Sequence, residues 1–250
     1  MRRLAWALSI VLIVGAGSGC GSSDSHSIRV AAAASLRSAF THYAVHSFPT
    51  EEIDQSFAGS DQLAAQIEQG ATPDVFAAAN LEYPQQLFEK GLLEKPVIFA
   101  RNRLVLAVPA ESPIRSLADV ARPGMSVVVG DPNVPIGSYT REVLSRLPES
   151  ERAGILENVR SEEPDVTSII GKLAQGAADG GFVYVTDVRA AGGAVRAIPL
   201  PADLQPEVAY GIGVLRDSPN HQLARQFVRG LEPGGAGVLY LRQAGFLPPD

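Results

Sequence analysis

Short apolar runs alternate with stretches of helical period along most of the chain. Ile28, Val30 and Ala31 to Ala34 read as a buried strand. Leu36, Ala39, Phe40 and Tyr43 follow at i, i+3, i+4 and i+7, the spacing of an amphipathic helix. Residues 53–58 alternate as a strand does. Leu63, Ala64 and Ile67 then mark a helix closed by Gly70, with Pro73 beyond. Residues 74–79 give a third strand, and Tyr83, Leu87 and Phe88 a helix ending at Lys90-Gly91. This βαβαβα order predicts a parallel sheet with helical crossovers.

The pattern then repeats. Residues 103–108 read as a buried strand, a short helix lies within 112–121, and 126–129 form a strand running into 130–137. A helix with Tyr139, Val143 and Leu144 on its apolar side comes next. Glu163-Pro164-Asp165 opens another, with Val166, Ile169, Ile170 and Leu173 on one face. Strands are predicted at 182–185, 195–200 and 208–215, and two helices, 222–231 and about 237–244, finish the chain. The reading is two successive α/β units and a return segment.

The first residues follow a different rule. Met1-Arg2-Arg3 is basic, and residues 4–16 are apolar over a length suited to a signal peptide and short for a membrane span. Cys20, the single cysteine, follows Gly17-Ser18-Gly19, so no internal disulfide can form. The expected organisation is a signal peptide at 1–19, a lipidated Cys20 at the mature N-terminus, and a flexible tether over 20–27. Gly17 stands where a lipobox usually has an aliphatic residue, and ordinary cleavage is the alternative. The formal charge of −6 becomes −8 without Arg2 and Arg3. No basic cluster interleaves with aromatics, which argues against nucleic acid as a partner. An anion could be bound only through local donors, because the long-range field repels it.

Four turns share one form: a strand, a small or polar residue, then a helix start. They are Ala34-Ser35, Gly59-Ser60, Pro135-Ile136-Gly137 and Asp165-Val166. Ligands of open α/β sheets bind beyond the carboxyl ends of strands. Helix N-termini there offer unpaired N–H groups and positive dipole ends. Ser35, Ser60 and Tyr184 would add hydroxyl donors. Each has a plainer reading: Ser35, Ser60 and Asp165 as helix caps, Tyr184 as a core residue. An unpaired buried dianion costs tens of kcal/mol. A hydrogen bond to a charged group returns about 1.5–3 kcal/mol, so roughly half a dozen donors are needed. A site built only of donors suits molybdate, tungstate or sulfate better than phosphate, which carries a proton near neutral pH.

Enzyme signatures are poor. His42 and His46 sit at i, i+4, as zinc ligands of a metal-dependent hydrolase can, but without a zincin Glu or an evident third ligand. There is no nucleophile elbow, P-loop or dinucleotide fingerprint.

Taken together, VAAAASL at 30–36, FAGSDQL at 57–63, PDVF at 73–76, NRLVL at 102–106, Gly130-Asp131-Pro132 with Val134-Pro135 and Gly137, and Phe182-Val183-Tyr184 resemble the periplasmic molybdate-binding protein family of molybdate ABC transporters. The resemblance runs in order from about Ile28 to Phe246. It implies a two-lobed, type II-like periplasmic-binding-protein fold, each lobe a mostly parallel sheet flanked by helices, closing on the anion in the interlobe cleft. The expected lobes are 28–107 plus 207–250, and 108–206. By position, the implied ligand contacts are the hydroxyls of Ser35, Ser60 and Tyr184 and the backbone N–H groups of Ile136 and Val166. The implied protein is a non-catalytic extracytoplasmic monomer without cofactor or bare metal ion. It would be held at the membrane through Cys20, bind molybdate or tungstate, and deliver it to an ABC permease. A sulfate-binding relative and a sensor that signals through its closed form are the alternatives. The segment from Gly130 to Gly137 is one residue shorter than the family's G-D-P-x-x-V-P-A-G, and Ile136 replaces a common Ala. The bulkier side chain is expected to narrow the cleft.

Overall fold

The computed structural model describes residues 27–249. The expected signal peptide, Cys20 and nearly all of the expected tether lie outside the described residues. Among the described residues, ten strands build two sheets. They are β1 (Ser27–Ala33), β2 (Glu52–Ala58), β3 (Val75–Ala78), β4 (Val97–Asn102), β5 (Leu104–Pro109), β6 (Val127–Gly130), β7 (Val159–Glu163), β8 (Gly180–Tyr184), β9 (Val195–Pro199) and β10 (Val208–Val214). The helices that join and cover them are α1 (Arg37–Ser47), α2 (Ser60–Glu68), α3 (Glu82–Glu89), α4 (Leu117–Val120), α5 (Pro135–Ser145), α6 (Glu149–Glu157), α7 (Val166–Ala174), α8 (Val185–Ala190), α9 (His221–Leu231) and α10 (Gly237–Ala244).

The first sheet has the order β2-β1-β3-β10-β4 and the second β7-β6-β8-β5-β9. In each, three neighbouring strands pair in parallel and the remaining pairings are antiparallel. Four strands of each sheet therefore share one direction, and β10 or β5 runs against them. These two opposed strands are the ones that arrive from the other lobe. A parallel neighbour needs a long crossover. β5 has no such crossover: it follows β4 after Arg103 alone.

That crossing corrects one expectation. The expected first lobe includes residues 104–107, but β5 pairs with β8 and β9 of the second sheet. The first lobe thus ends at the short link after Asn102. The second crossing lies between β9 and β10. Gln205 within it ties the two crossings together: its Nε2 donates to the Leu104 carbonyl at 2.9 Å, and its Oε1 accepts from Leu104 N–H at 3.2 Å.

The strands that meet the cleft are apolar over their whole length. Val75–Ala78, Val127–Gly130 and Gly180–Tyr184 are buried at every position, as expected of strands covered on both faces. Helix α1 is anchored beneath β1 by an aromatic cluster. Phe40 and Tyr43 pack on Phe227 with ring centroids 5.5 and 4.9 Å apart, and the Tyr43 hydroxyl donates to the Phe227 carbonyl at 3.0 Å. This anchoring fixes the turn carrying Ser35. No helix among the described residues is long and apolar enough to cross a membrane.

Candidate functional site

All four turns open onto one cavity between the lobes. It is lined by Ala33, Ala34, Ser35, Ala58, Gly59, Ser60 and Ala79 from the first lobe, and by Val134, Pro135, Ile136, Asp165, Val166 and Tyr184 from the second. The cavity is small, about 20 Å³. One water needs about 10–15 Å³, so the space suits a compact ion. No Lys or Arg is among the lining residues. Arg37, two residues past Ser35, turns away to stack on Phe57, its guanidinium 4.5 Å from the ring centroid.

Each predicted contact has a distinct local origin. Ile136 is the second residue of α5, behind Pro135. A proline there gives up an N–H that the helix could not use anyway, and the Ile136 N–H is the first free donor of the turn. Val166 opens α7, whose cap Asp165 accepts from Ser168 N–H at 2.8 Å; the plain-cap reading of Asp165 holds. Ser60 opens α2 but does not cap it. The capping position is Gly59, and the Ser60 Oγ accepts instead from Ala79 N–H at 3.1 Å. Ser35 lies within a single 3₁₀ turn ahead of α1 and makes no capping bond either. Its Oγ meets the Tyr210 hydroxyl at 2.9 Å. The capping role weighed for both serines is therefore absent, because longer-range partners hold them.

Tyr184 ends β8, and its side chain is 1% exposed. Its hydroxyl has no hydrogen-bond partner, although buried polar groups are nearly always paired. An unpaired buried phenol lining a cavity is what a missing guest would satisfy. Burial drives its pKa well above the ordinary value, with Tyr210, Tyr139 and Asp187 adding to the rise, so the group is a donor. Two residues that the sequence reading passed over stand beside it. Tyr210 on β10 packs against Tyr184 with centroids 5.9 Å apart, and Asp187 Oδ2 accepts from Tyr184 N–H at 3.0 Å. The sequence signals were weak: one Tyr in the apolar strand VAYGIGV, and an Asp in the first turn of a short helix.

The short loop before α5 closes on itself. Asp131 Oδ1 accepts from Asn133 N–H at 2.9 Å, and the Asp131 carbonyl accepts from Val134 N–H at 3.1 Å. The Ile136 side chain is 2% exposed and sets its Cγ2 against Gly130. Its extra bulk is thus accommodated where Gly130 lacks a Cβ. Between the lobes, the Tyr83 hydroxyl of the first donates to the Asn133 carbonyl of the second.

The two histidines do not form a comparable site. Nδ1 of His42 and of His46 bond the carbonyls four residues back, at 2.7 and 2.8 Å. No group of three or more His, Cys, Asp or Glu able to hold a metal ion occurs among the described residues.

Comparison with known proteins places this geometry. Residues 28–247 match the model of the bacterial extracellular solute-binding protein family. The chain is 41% identical over 229 residues to the molybdate-binding protein ModA of Mycobacterium tuberculosis, covering 89% of this chain and 85% of that one. It is 30% identical over 222 residues to ModA of Haemophilus influenzae, covering 84% and 85%. The periplasmic molybdate-binding protein of Azotobacter vinelandii has the same fold, with a TM-score of 0.78 at 21% identity over 89% of this chain and all of that one. The sulfate-binding protein SubI of Mycobacterium tuberculosis superposes with a TM-score of 0.74 at 18% identity, covering 90% and 87%. The chain belongs to the bacterial extracellular solute-binding proteins, in the family of the molybdate-binding protein ModA.

Proposed function

We propose that this protein binds molybdate outside the cytoplasm and delivers it to the permease of an ABC importer. One observation carries the proposal: hydroxyl and N–H donors from four turns, two in each lobe, and from the end of β8 converge on one small cavity lined by no Lys or Arg. Ser35, Ser60 and Tyr184 contribute hydroxyls, and Ile136 and Val166 contribute backbone N–H groups at positive helix ends. The relatives named molybdate-binding support the choice of guest. Tungstate, of the same shape and charge, is taken as a second ligand. Molybdenum enters as the oxyanion cargo, and the protein itself carries out no chemical step. A lipid on Cys20 tethers a monomer to the membrane surface.

Isothermal titration with molybdate, tungstate, sulfate and phosphate tests this reading. Heat is expected for molybdate and tungstate, less for sulfate, and none for phosphate; silence with molybdate would overturn it. Ser35→Ala is expected to lose about 1.5–3 kcal/mol of molybdate affinity, a factor of roughly 10–150. The fold should lose only about 1 kcal/mol, from the Tyr210 contact.

Closure has its own test. A Cβ added at Gly59 would lie 2.5 Å from the Pro164 carbonyl of the facing lobe, which is backbone and fixed, and 2.6 Å from Asp61 Oδ1 of its own lobe, a side-chain end that can turn aside. The Gly59 backbone, at φ −59° and ψ 140°, accepts an alanine without strain. Gly59→Ala should therefore leave the ligand-free protein's melting unchanged. By overpacking the closed state by about 1–2 kcal/mol, it should weaken molybdate binding roughly 5- to 30-fold. A variant binding as tightly as the wild type would show that the lobes close without that contact.

A further inference from the structure

We propose that Asn102 and Tyr210 set the specificity of the cavity by forcing the Ser35 hydroxyl to act as a donor toward the anion. The inference rests on the oxyanion reading above and adds to it residues that touch no ligand.

The direction of each hydrogen bond follows from the groups present. Asn102 Oδ1 accepts from Arg103 N–H at 2.9 Å. Only the amide oxygen can accept from an N–H, so the orientation of the Asn102 side chain is fixed. Its Nδ2 then faces Thr186 Oγ1 at 2.9 Å and, more loosely, the Tyr210 hydroxyl at 3.4 Å. An amide nitrogen has hydrogens to give and no lone pair to offer. The Tyr210 oxygen must accept there, and its one hydrogen is left for Ser35 Oγ, 2.9 Å away. Tyr210 keeps that hydrogen, because burial raises its pKa well above that of a free phenol. Ser35 Oγ therefore accepts from Tyr210 and turns its own hydrogen to the cavity.

The other two hydroxyls reach the same state differently. Ser60 Oγ accepts from Ala79 N–H, which leaves its hydrogen free, and the Tyr184 hydroxyl has no competing partner. The one carboxylate among the lining residues, Asp165, has its Oδ1 engaged by both the N–H and the hydroxyl of Ser168. A ligand that keeps a proton would meet hydroxyls facing it with hydrogens. The Asn102–Tyr210–Ser35 chain is the part of this filter that a single substitution can release. It also begins beside the first crossing, where Asn102 bonds Thr186 of the other lobe, so lobe closure and donor direction share one side chain.

Tyr210→Phe tests the proposal. The ring keeps its packing on Phe246, Phe99 and Tyr184, so the variant should fold. Without the hydroxyl, Ser35 can rotate and accept. Molybdate affinity should fall about tenfold, the loss of one oriented charged hydrogen bond. Phosphate in its hydrogen-bearing form should gain, so that the molybdate-to-phosphate ratio falls more than molybdate affinity does. Sulfate, which like molybdate carries no proton near neutral pH, should weaken with molybdate while phosphate gains, a split that loosened packing would not produce. Asn102→Asp supplies a second measurement, since a carboxylate would draw the Tyr210 hydrogen to itself and leave Ser35 presenting a lone pair. Weakened molybdate binding with no gain for phosphate in Tyr210→Phe would overturn the proposal alone. Failure of the wild type to bind molybdate would overturn the reading of the cavity and the proposal with it.

Discussion

Gly137→Ala is expected to cost about 3 kcal/mol of stability and to abolish measurable molybdate binding, at the upper end of what overpacking does. A Cβ on Gly137 would stand 1.9 Å from the Asp131 carbonyl oxygen and 2.5 Å from that of Gly130. Both obstacles are backbone, so no side chain can swing aside. Gly130 faces it, where an added Cβ would meet Gly137 N at 2.7 Å. The two glycines let the end of β6 and the first turn of α5 touch. Arg141 locks the contact by donating to both the Gly130 and Gly137 carbonyls at 3.1 Å. Relief requires α5 to move outward, and Ile136 N–H moves with it. The control is Gly171→Ala on α7, where nothing lies within 4 Å of an added Cβ. That change should stabilise the helix by about 0.5–1 kcal/mol and leave binding intact. Thermal melts and titrations of the pair decide it: similar behaviour of the two variants would mean that the α5 turn can yield.

These consequences trace to features that the sequence carries unevenly. The alternation of strand and helix is readable because runs such as VFAA and VVVG can be buried only in a covered sheet, and because helix starts carry local signals. Asp165 reads correctly as a cap, since its partner Ser168 is three residues away. Ser35 does not, since its partner Tyr210 is 175 positions distant and belongs to the return strand. The lobe boundary fails for a related reason. Residues 103–108 read as one buried strand, and periodicity does not say which sheet a strand joins. Only pairing shows that the chain changes lobes there. The four turns of the candidate site are legible because each helix start announces itself locally. Its supporting residues, Tyr210, Asn102 and Asp187, were missed because their roles depend on contacts between distant segments.

Asp187→Asn is expected to make the protein more stable than the wild type above neutral pH. Asp187 is buried at the start of α8, where its carboxylate accepts from Tyr184 N–H. Burial lifts its pKa from 3.8 to about 7, with a smaller push from Asp165, while the Tyr184 bond opposes the rise. The folded chain therefore holds this proton more tightly than the unfolded chain does. The resulting stability is present in full below about pH 4 and is lost as pH rises through about 7. A shift of that size corresponds to at most about 4 kcal/mol. Asparagine keeps an oxygen for Tyr184 N–H and carries no titrating group, so the variant's curve should stay flatter over the same window. The gap between the two proteins should open between about pH 4 and 7 and hold beyond it. Ligand binding should follow the same sign. A charged Asp187, held at the Tyr184 backbone N–H, opposes a dianion in the cavity that Tyr184 lines, so wild-type molybdate affinity should fall as pH passes about 7. Asp187→Asn should bind with little change across that range. Stability curves and titration curves that run parallel for the two proteins would mean that Asp187 is already charged in the folded state. The cradle would then hold its dianion against that charge through its hydroxyl and N–H donors alone.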